Sequence, residues 1–152
     1  MDVIGVIGAG QMGAGIAQVA AVAGYRVLLS DREVTLAEKG KVGIAKRLAS
    51  AVEKGKATAA DAEAALGLIE TVGDYAAFAD AMIVIEAATE REEIKRAIFA
   101  DVGAEMSDDA ILATNTSSIP ITPIVSIRIP FSTNEAAPRQ DYAARNDPAR
   151  RL

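Results

Sequence analysis

Gly8, Gly10 and Gly13 stand at the spacing Gly-x-Gly-x-x-Gly directly after the apolar run Val3-Ile4-Gly5-Val6-Ile7, with Ala9, Gln11 and Met12 between them. These residues cannot transfer protons or attack a carbon; their chemistry is that of holding a phosphate. Gly8 lets the chain turn tightly, Gly10 lets backbone N–H groups approach a pyrophosphate, and Gly13 lets the following helix pack close to the preceding strand. The start of that helix then faces the phosphates. Glycine turns also arise for conformational reasons alone, so the flanking sequence must decide.

The flanks supply an acid at the right distance. After an alanine-rich helical segment, Gly24 offers a stop, and Arg26-Val27-Leu28-Leu29-Ser30 is a second apolar run that ends in Asp31. A carboxylate there accepts hydrogen bonds from the adenosine ribose hydroxyls and repels an added 2′-phosphate, which favours NAD over NADP; Arg32 weakens that preference slightly. The alternative role of Asp31 is to cap the next helix, which Asp does well. Strand, glycine turn, helix, second strand and acid in register point to dinucleotide binding, with Gly8, Gly10, Gln11, Met12, Gly13, Asp31 and Arg32 at the cofactor.

The elements that must position these residues follow from periodicity. Leu36, Gly40, Ile44, Leu48 and Val52 recur every four residues and predict a long helix from 33 to about 54, ended by Gly55. Thr58 with Asp61 marks the start of a short helix toward Leu66, and residues 68 to 72 form a strand. A helical turn follows over 75 to 78, and residues 81 to 86 are a run suited to a buried parallel strand. Thr89 with Glu92 is a capping-box pattern, opening a helix whose inner face carries Ile94, Ile98, Val102 and Met106. Ile111 to Thr114 is one more buried strand. Strands alternating with helices give an α/β fold of the Rossmann type, a doubly wound, mostly parallel sheet with ligands at the carboxyl ends of its strands.

Composition excludes several classes. With 152 residues, 51% of them hydrophobic, the chain can bury an ordinary core. A formal charge of -5 argues against nucleic acid and anionic membranes as partners. No apolar run is long enough to span a bilayer, and the first strand begins almost at Met1, so a cytoplasmic location is the default expectation. Cysteine and histidine are both absent, so no bound transition metal is expected.

Four segments together carry a family resemblance: residues 4 to 13, Val52-Glu53-Lys54-Gly55-Lys56, Ile85-Glu86-Ala87-Ala88-Thr89-Glu90, and Ala113-Thr114-Asn115-Thr116-Ser117-Ser118. Through them residues 3 to 122 resemble the NAD-binding domain of 3-hydroxyacyl-CoA dehydrogenases, the bacterial 3-hydroxybutyryl-CoA dehydrogenases in particular. The resemblance implies catalytic roles for Ser117, bonded to the substrate 3-oxygen, and for Asn115, beside the nicotinamide. It also implies that Ala87, Glu90 and Lys95 approach the nicotinamide side of the cofactor, and that Lys54 approaches the nucleotide of an acyl-CoA substrate. Each has a plainer alternative: Ser117 satisfying local backbone groups in a loop, Glu90 an acid in a first helical turn, Lys54 a cation at a helix end.

The implied reaction moves a hydride between C3 of a 3-hydroxyacyl-CoA and the nicotinamide while a histidine takes the hydroxyl proton. In the family that histidine lies in a Gly-Met-His-Phe-type segment after the Asn-Thr-Ser-Ser loop, and this sequence contains no histidine. After Thr122 the resemblance ends, and all five prolines lie at or beyond Pro120. Residues 123 to 152 are therefore expected to be an atypical tail, holding at most an edge strand over 126 to 131 because Pro130 cannot donate to a ladder. Such a shift marks a linker, a disordered tail or a sequence that has left the parent reading frame. The helical substrate domain is then absent and the isolated chain inactive, with an uncovered apolar surface that favours a homo-oligomer. A noncatalytic NAD(H)-binding module completed by a partner chain is the second reading. A dehydrogenase of small hydroxy acids is a third and weaker one.

Overall fold

The first strand, β1 (Val3–Ile7), is buried on both faces, as its β-branched run requires. It leads through the glycine turn into α1 (Gln11–Val22), whose inner face is made of the small residues Gly13, Ala14, Ala17, Ala20 and Ala21. Small side chains let this helix approach the sheet closely. β2 (Arg26–Ser30), α2 (Val34–Glu53), α3 (Ala59–Gly67) and β3 (Ile69–Val72) follow, then a 3-10 turn (Tyr75–Phe78), β4 (Ile83–Glu86), α4 (Glu92–Glu105) and β5 (Ile111–Thr114). The computed structural model describes residues 1–116, so the expectations for Ser117, for a strand over 126 to 131 and for the tail lie outside the described residues.

The five strands form one parallel sheet in the order β3-β2-β1-β4-β5. The chain winds outward from β1 to β3, then returns to the other side of β1 for β4 and β5. That reversal opens a crevice at the carboxyl ends of β1 and β4, where doubly wound sheets bind ligands. The register aligns Ser30, Ile7, Glu86 and Thr114 in a row across those ends.

Alternation along the strands fills two cores. Val6, Val27 and Leu29 face α1, α2 and α3 together with Ala17 and Ile44, while Ile7, Leu28 and Val84 face the other side with Phe78 and Val102. Phe78 lies against Gly5, where an added Cβ would meet its ring at 2.7 Å. On α2 the buried residues are Ala37, Gly40, Ile44 and Leu48, close to the expected face, with Leu36 and Val52 half-buried. Gly24 and Gly55 take left-handed conformations after α1 and α2, as their expected stop roles demand. Thr58 caps α3 by accepting from the Asp61 N–H at 3.1 Å.

Three local expectations are corrected. β5, expected to be buried, is the outermost strand of the sheet among the described residues, with Ile111 exposed and Leu112, Ala113 and Thr114 half-buried. α4 has Arg91 as its N-cap and no side-chain cap; Thr89 instead accepts from the Arg91 N–H at 3.1 Å, a local turn that precedes the helix rather than a capping box. The inner face of α4 keeps Val102 buried with Ile98 and Met106 packed against the same core, as expected, but Lys95 and Phe99 are buried as well and Ile94 is exposed. A lysine occupies an inward position because it has a buried acid to meet.

Candidate cofactor-binding site

The glycine turn joins β1 to α1 at the centre of the crevice. Gly8 has φ of 98°, a left-handed conformation, and an added Cβ would stand 2.6 Å from the Ala88 Cα, so both the turn and the neighbouring loop require glycine there. At Gly13 an added Cβ would meet the Gly8 carbonyl oxygen at 1.7 Å, which locks α1 against the turn. Gly10 is exposed, with nothing within 4 Å of an added Cβ. As the N-cap of α1 it supplies no side-chain acceptor, and the first turn carries no acid. The N–H groups that open α1 are thus directed at a place where an anion is favoured by the helix dipole. Gln11 and Met12 are exposed on this first turn.

Asp31 ends β2 beside the turn. Its Oδ2 accepts from the Ala9 N–H at 2.7 Å and its Oδ1 from the Arg32 N–H at 2.8 Å. The N-cap of α2 is Glu33, so Asp31 is not a helix cap, and its carboxylate faces the glycine turn as a ribose acceptor would. Arg32 is exposed beside it. A cleft of about 340 Å³ opens between the starts of α1 and α2, lined by Gly10, Gln11, Asp31, Lys39 and Arg47 among others. Gly40 on α2 makes this closeness possible, since a Cβ there would meet that of Ala9 at 2.7 Å.

On the far side of the turn lies the loop of residues 87 to 91. The Ala87 N–H donates to the Ile7 carbonyl at 2.7 Å, which lays the loop along the glycine turn. Asn115 follows β5, exposed, its N–H donating to the Glu86 carbonyl at 2.7 Å. Glu90 accepts from the Thr116 hydroxyl at 3.0 Å, joining the two loops. Gly8, Gly10, Gly13, Asp31, Ala87, Glu90 and Asn115 therefore gather along one edge of the sheet. Lys54 does not join them: it is exposed at the far end of the 20-residue α2, about 30 Å from its start at 1.5 Å per residue. Lys95 sits beneath the loop, fully buried, with Nζ at 2.5 Å from Glu86 Oε2 and 3.1 Å from Thr114 Oγ1.

Sequence reasoning missed Glu86 and Thr114 as site residues. The available signal was an acid closing an apolar strand with a lysine one helical turn inside the next helix. Among the described residues no group of three or more His, Cys, Asp or Glu side chains could hold a metal ion, and no helix is long and apolar enough to cross a membrane.

Comparison with known proteins agrees with this geometry. The family described as 3-hydroxyacyl-CoA dehydrogenase, NAD binding domain, matches residues 3–128. The probable 3-hydroxybutyryl-CoA dehydrogenase of Deinococcus radiodurans is 47% identical over 122 residues, covering 80% of this chain and 44% of that protein. The 3-hydroxybutyryl-CoA dehydrogenase of Mycobacterium tuberculosis is 44% identical, covering 81% of this chain and 43% of its own length. A crystal structure of 3-hydroxybutyryl-CoA dehydrogenase from Escherichia coli superposes with a TM-score of 0.82 at 45% identity, over 85% of this chain and 28% of that one. The chain thus spans less than half the length of the curated relatives it matches. It belongs to the family of 3-hydroxyacyl-CoA dehydrogenase NAD-binding domains, and the cofactor of its site is NAD.

Proposed function

We propose that this chain is the cofactor-binding part of an NAD-dependent dehydrogenase that oxidises a 3-hydroxyacyl-CoA to a 3-oxoacyl-CoA, with 3-hydroxybutyryl-CoA as the first substrate to test. The observation that carries the proposal is the pairing of an open Gly10 at the start of α1 with the Asp31 carboxylate at the end of β2. NAD, when bound, supplies a hydride acceptor at its nicotinamide. The chain's own residues bind and orient: the opening N–H groups of α1 hold the pyrophosphate, Asp31 accepts from the ribose, and Ala87, Glu90 and Asn115 bound the nicotinamide side. Ser117 would orient the substrate oxygen, with Lys54 reaching the nucleotide of coenzyme A.

The hydroxyl proton needs an acceptor that titrates near neutrality, and the 152 residues contain no histidine. A second reading is a noncatalytic NAD(H)-binding module that needs a partner chain to complete the site. Under either reading we expect the isolated chain to bind NADH and turn over no acyl-CoA, to reside in the cytoplasm, and to self-associate. Calorimetric titration with NADH and NADPH tests the cofactor assignment: saturable NADH binding with weaker NADPH binding supports it, and no binding of either overturns it. Adding a second polypeptide that carries the histidine segment, then assaying acetoacetyl-CoA reduction, separates the two readings.

A further inference from the structure

Beneath the crevice lies an ionic group that binding alone does not use. Glu86 and Lys95 are each 0% exposed, and among the described residues Ser30 is the one other polar side chain that is buried. Burying two charges is costly, and a buried ion pair is weak grounds for stability, because well-packed apolar residues often serve as well or better. What this pair does is better judged from the atoms it holds.

Glu86 is the hub. Its Oε1 accepts from the Ala88 N–H at 2.7 Å and the Thr89 N–H at 3.3 Å, so one carboxylate oxygen shapes the first bend of the loop after β4. Its Oε2 accepts from Lys95 Nζ at 2.5 Å and from the Thr114 hydroxyl at 2.8 Å, which ties the same carboxylate to α4 and to the end of β5. The segment so fixed is the one that lies on Gly8: the Ala87 carbonyl oxygen stands 2.7 Å from the place of a Gly8 Cβ. Thr114 immediately precedes Asn115, whose N–H is bonded to the Glu86 backbone carbonyl. The Glu86 side chain is therefore bonded both to the loop after β4 and to the last residue of β5, and its main chain holds Asn115.

The sheet order says which half of a dinucleotide these segments meet. Asp31 lies at the end of β2, on one side of β1, and β4 and β5 lie on the other. With the pyrophosphate over the glycine turn and the adenosine ribose at Asp31, the nicotinamide half must extend over β4 and β5. We propose that Glu86, held by Lys95 and Thr114, is a positioning residue that seats the nicotinamide half of the cofactor by fixing the loop of residues 87 to 91 and the turn at Asn115. This rests on the dinucleotide reading above.

The test compares NADH with ADP, which lacks the nicotinamide half, by calorimetry on the 152-residue chain. The double variant Glu86→Met with Lys95→Met replaces the pair by apolar side chains of similar length, so no charge is left buried alone. We expect it to keep a thermal midpoint near that of the parent, to bind NADH at least about tenfold more weakly, and to bind ADP within about twofold of the parent. Hydrogen exchange at the Ala88 and Thr89 amides should accelerate in the same variant. An unchanged NADH affinity, or equal weakening of both ligands, overturns the proposal. Should the double variant not fold, Thr114→Val decides: about threefold weaker NADH binding with unchanged ADP binding supports it, and no change overturns it. A parent chain that binds neither ligand overturns the dinucleotide reading itself, and this inference with it.

Discussion

The backbone N–H of Ala9 donates to Asp31 Oδ2 at 2.7 Å, across the 22 residues that separate the glycine turn from the end of β2. One carboxylate thus closes the turn onto the neighbouring strand and also presents its charge where a ribose would lie. The two roles can be separated by substitution.

Asp31→Asn keeps an acceptor for Ala9 and removes the charge. Its stability should stay near that of the parent, while the preference for NADH over NADPH narrows by about tenfold because a 2′-phosphate no longer meets a like charge. Asp31→Ala removes the acceptor as well and leaves the N–H of the buried Ala9 without its partner. It should lose about 1–3 kcal/mol of stability in addition. Chemical denaturation together with parallel titrations would show the split; equal stability of the two variants would count against it.

The glycines of α1 make a second contrast. A methyl at Gly13 must displace the Gly8 carbonyl, 1.7 Å from its Cβ, whereas nothing lies within 4 Å of the corresponding position at Gly15. Gly13→Ala is expected to cost about 2–3 kcal/mol and to weaken NADH binding, because α1 must move off the turn. Gly15→Ala lies inside the helix and should stabilise by about 0.5–1 kcal/mol. Thermal midpoints of the two variants should move in opposite directions.

Much of this architecture was legible before any coordinates. The run Val3 to Ile7, the glycine spacing and Asp31 specify a strand, a turn and an acid through local chemistry alone, and the four-residue repeat from Gly40 to Leu48 specifies the inner face of α2. The inner face of α4 was legible at Ile98, Val102 and Met106 but not at Lys95. An apolar pattern counts side chains by hydrophobicity, and Lys95 faces inward only because Glu86, nine residues earlier and on another element, offers it a counter-charge. Thr89 misled for a related reason: a hydroxyl three residues before Glu92 can cap a helix or close a turn, and the buried Glu86 carboxylate, by binding the Ala88 and Thr89 N–H groups, selects the turn. Pairings between elements are invisible to rules that read one element at a time.

The outer face of α1 carries Met12, Val19 and Val22, which are 61%, 70% and 62% exposed among the described residues. Residues three, four and seven apart share a helix face, so Met12 and Val19 stand one above the other with Val22 beyond. A stripe of this kind invites association. Light scattering of the parent chain should report a mass that rises with concentration, and Val19→Glu should suppress the rise. A parent that stays monomeric at high concentration would refute this.

Tyr75 gives an alkaline signature of the second core. Its ring stacks on Phe78 with centroids 6.0 Å apart, and Phe78 fills the space left by Gly5. Burial raises the phenol above its usual range, and the negative charge of Asp101 raises it further. The folded state therefore holds the phenol proton more tightly than the unfolded chain, in which tyrosine titrates near about 10. Stability from this group is fully present below that value and is lost as pH rises through the higher folded value, because the unfolded state gives up its proton first. Unfolding midpoints measured from pH 9 upward should fall more steeply in the parent than in Tyr75→Phe, which has no phenol to ionise. Two parallel curves would mean that the ring is not confined by this core. A steeper fall in the parent would place the proton-linked group beside Phe78, under the strand that carries the glycine turn.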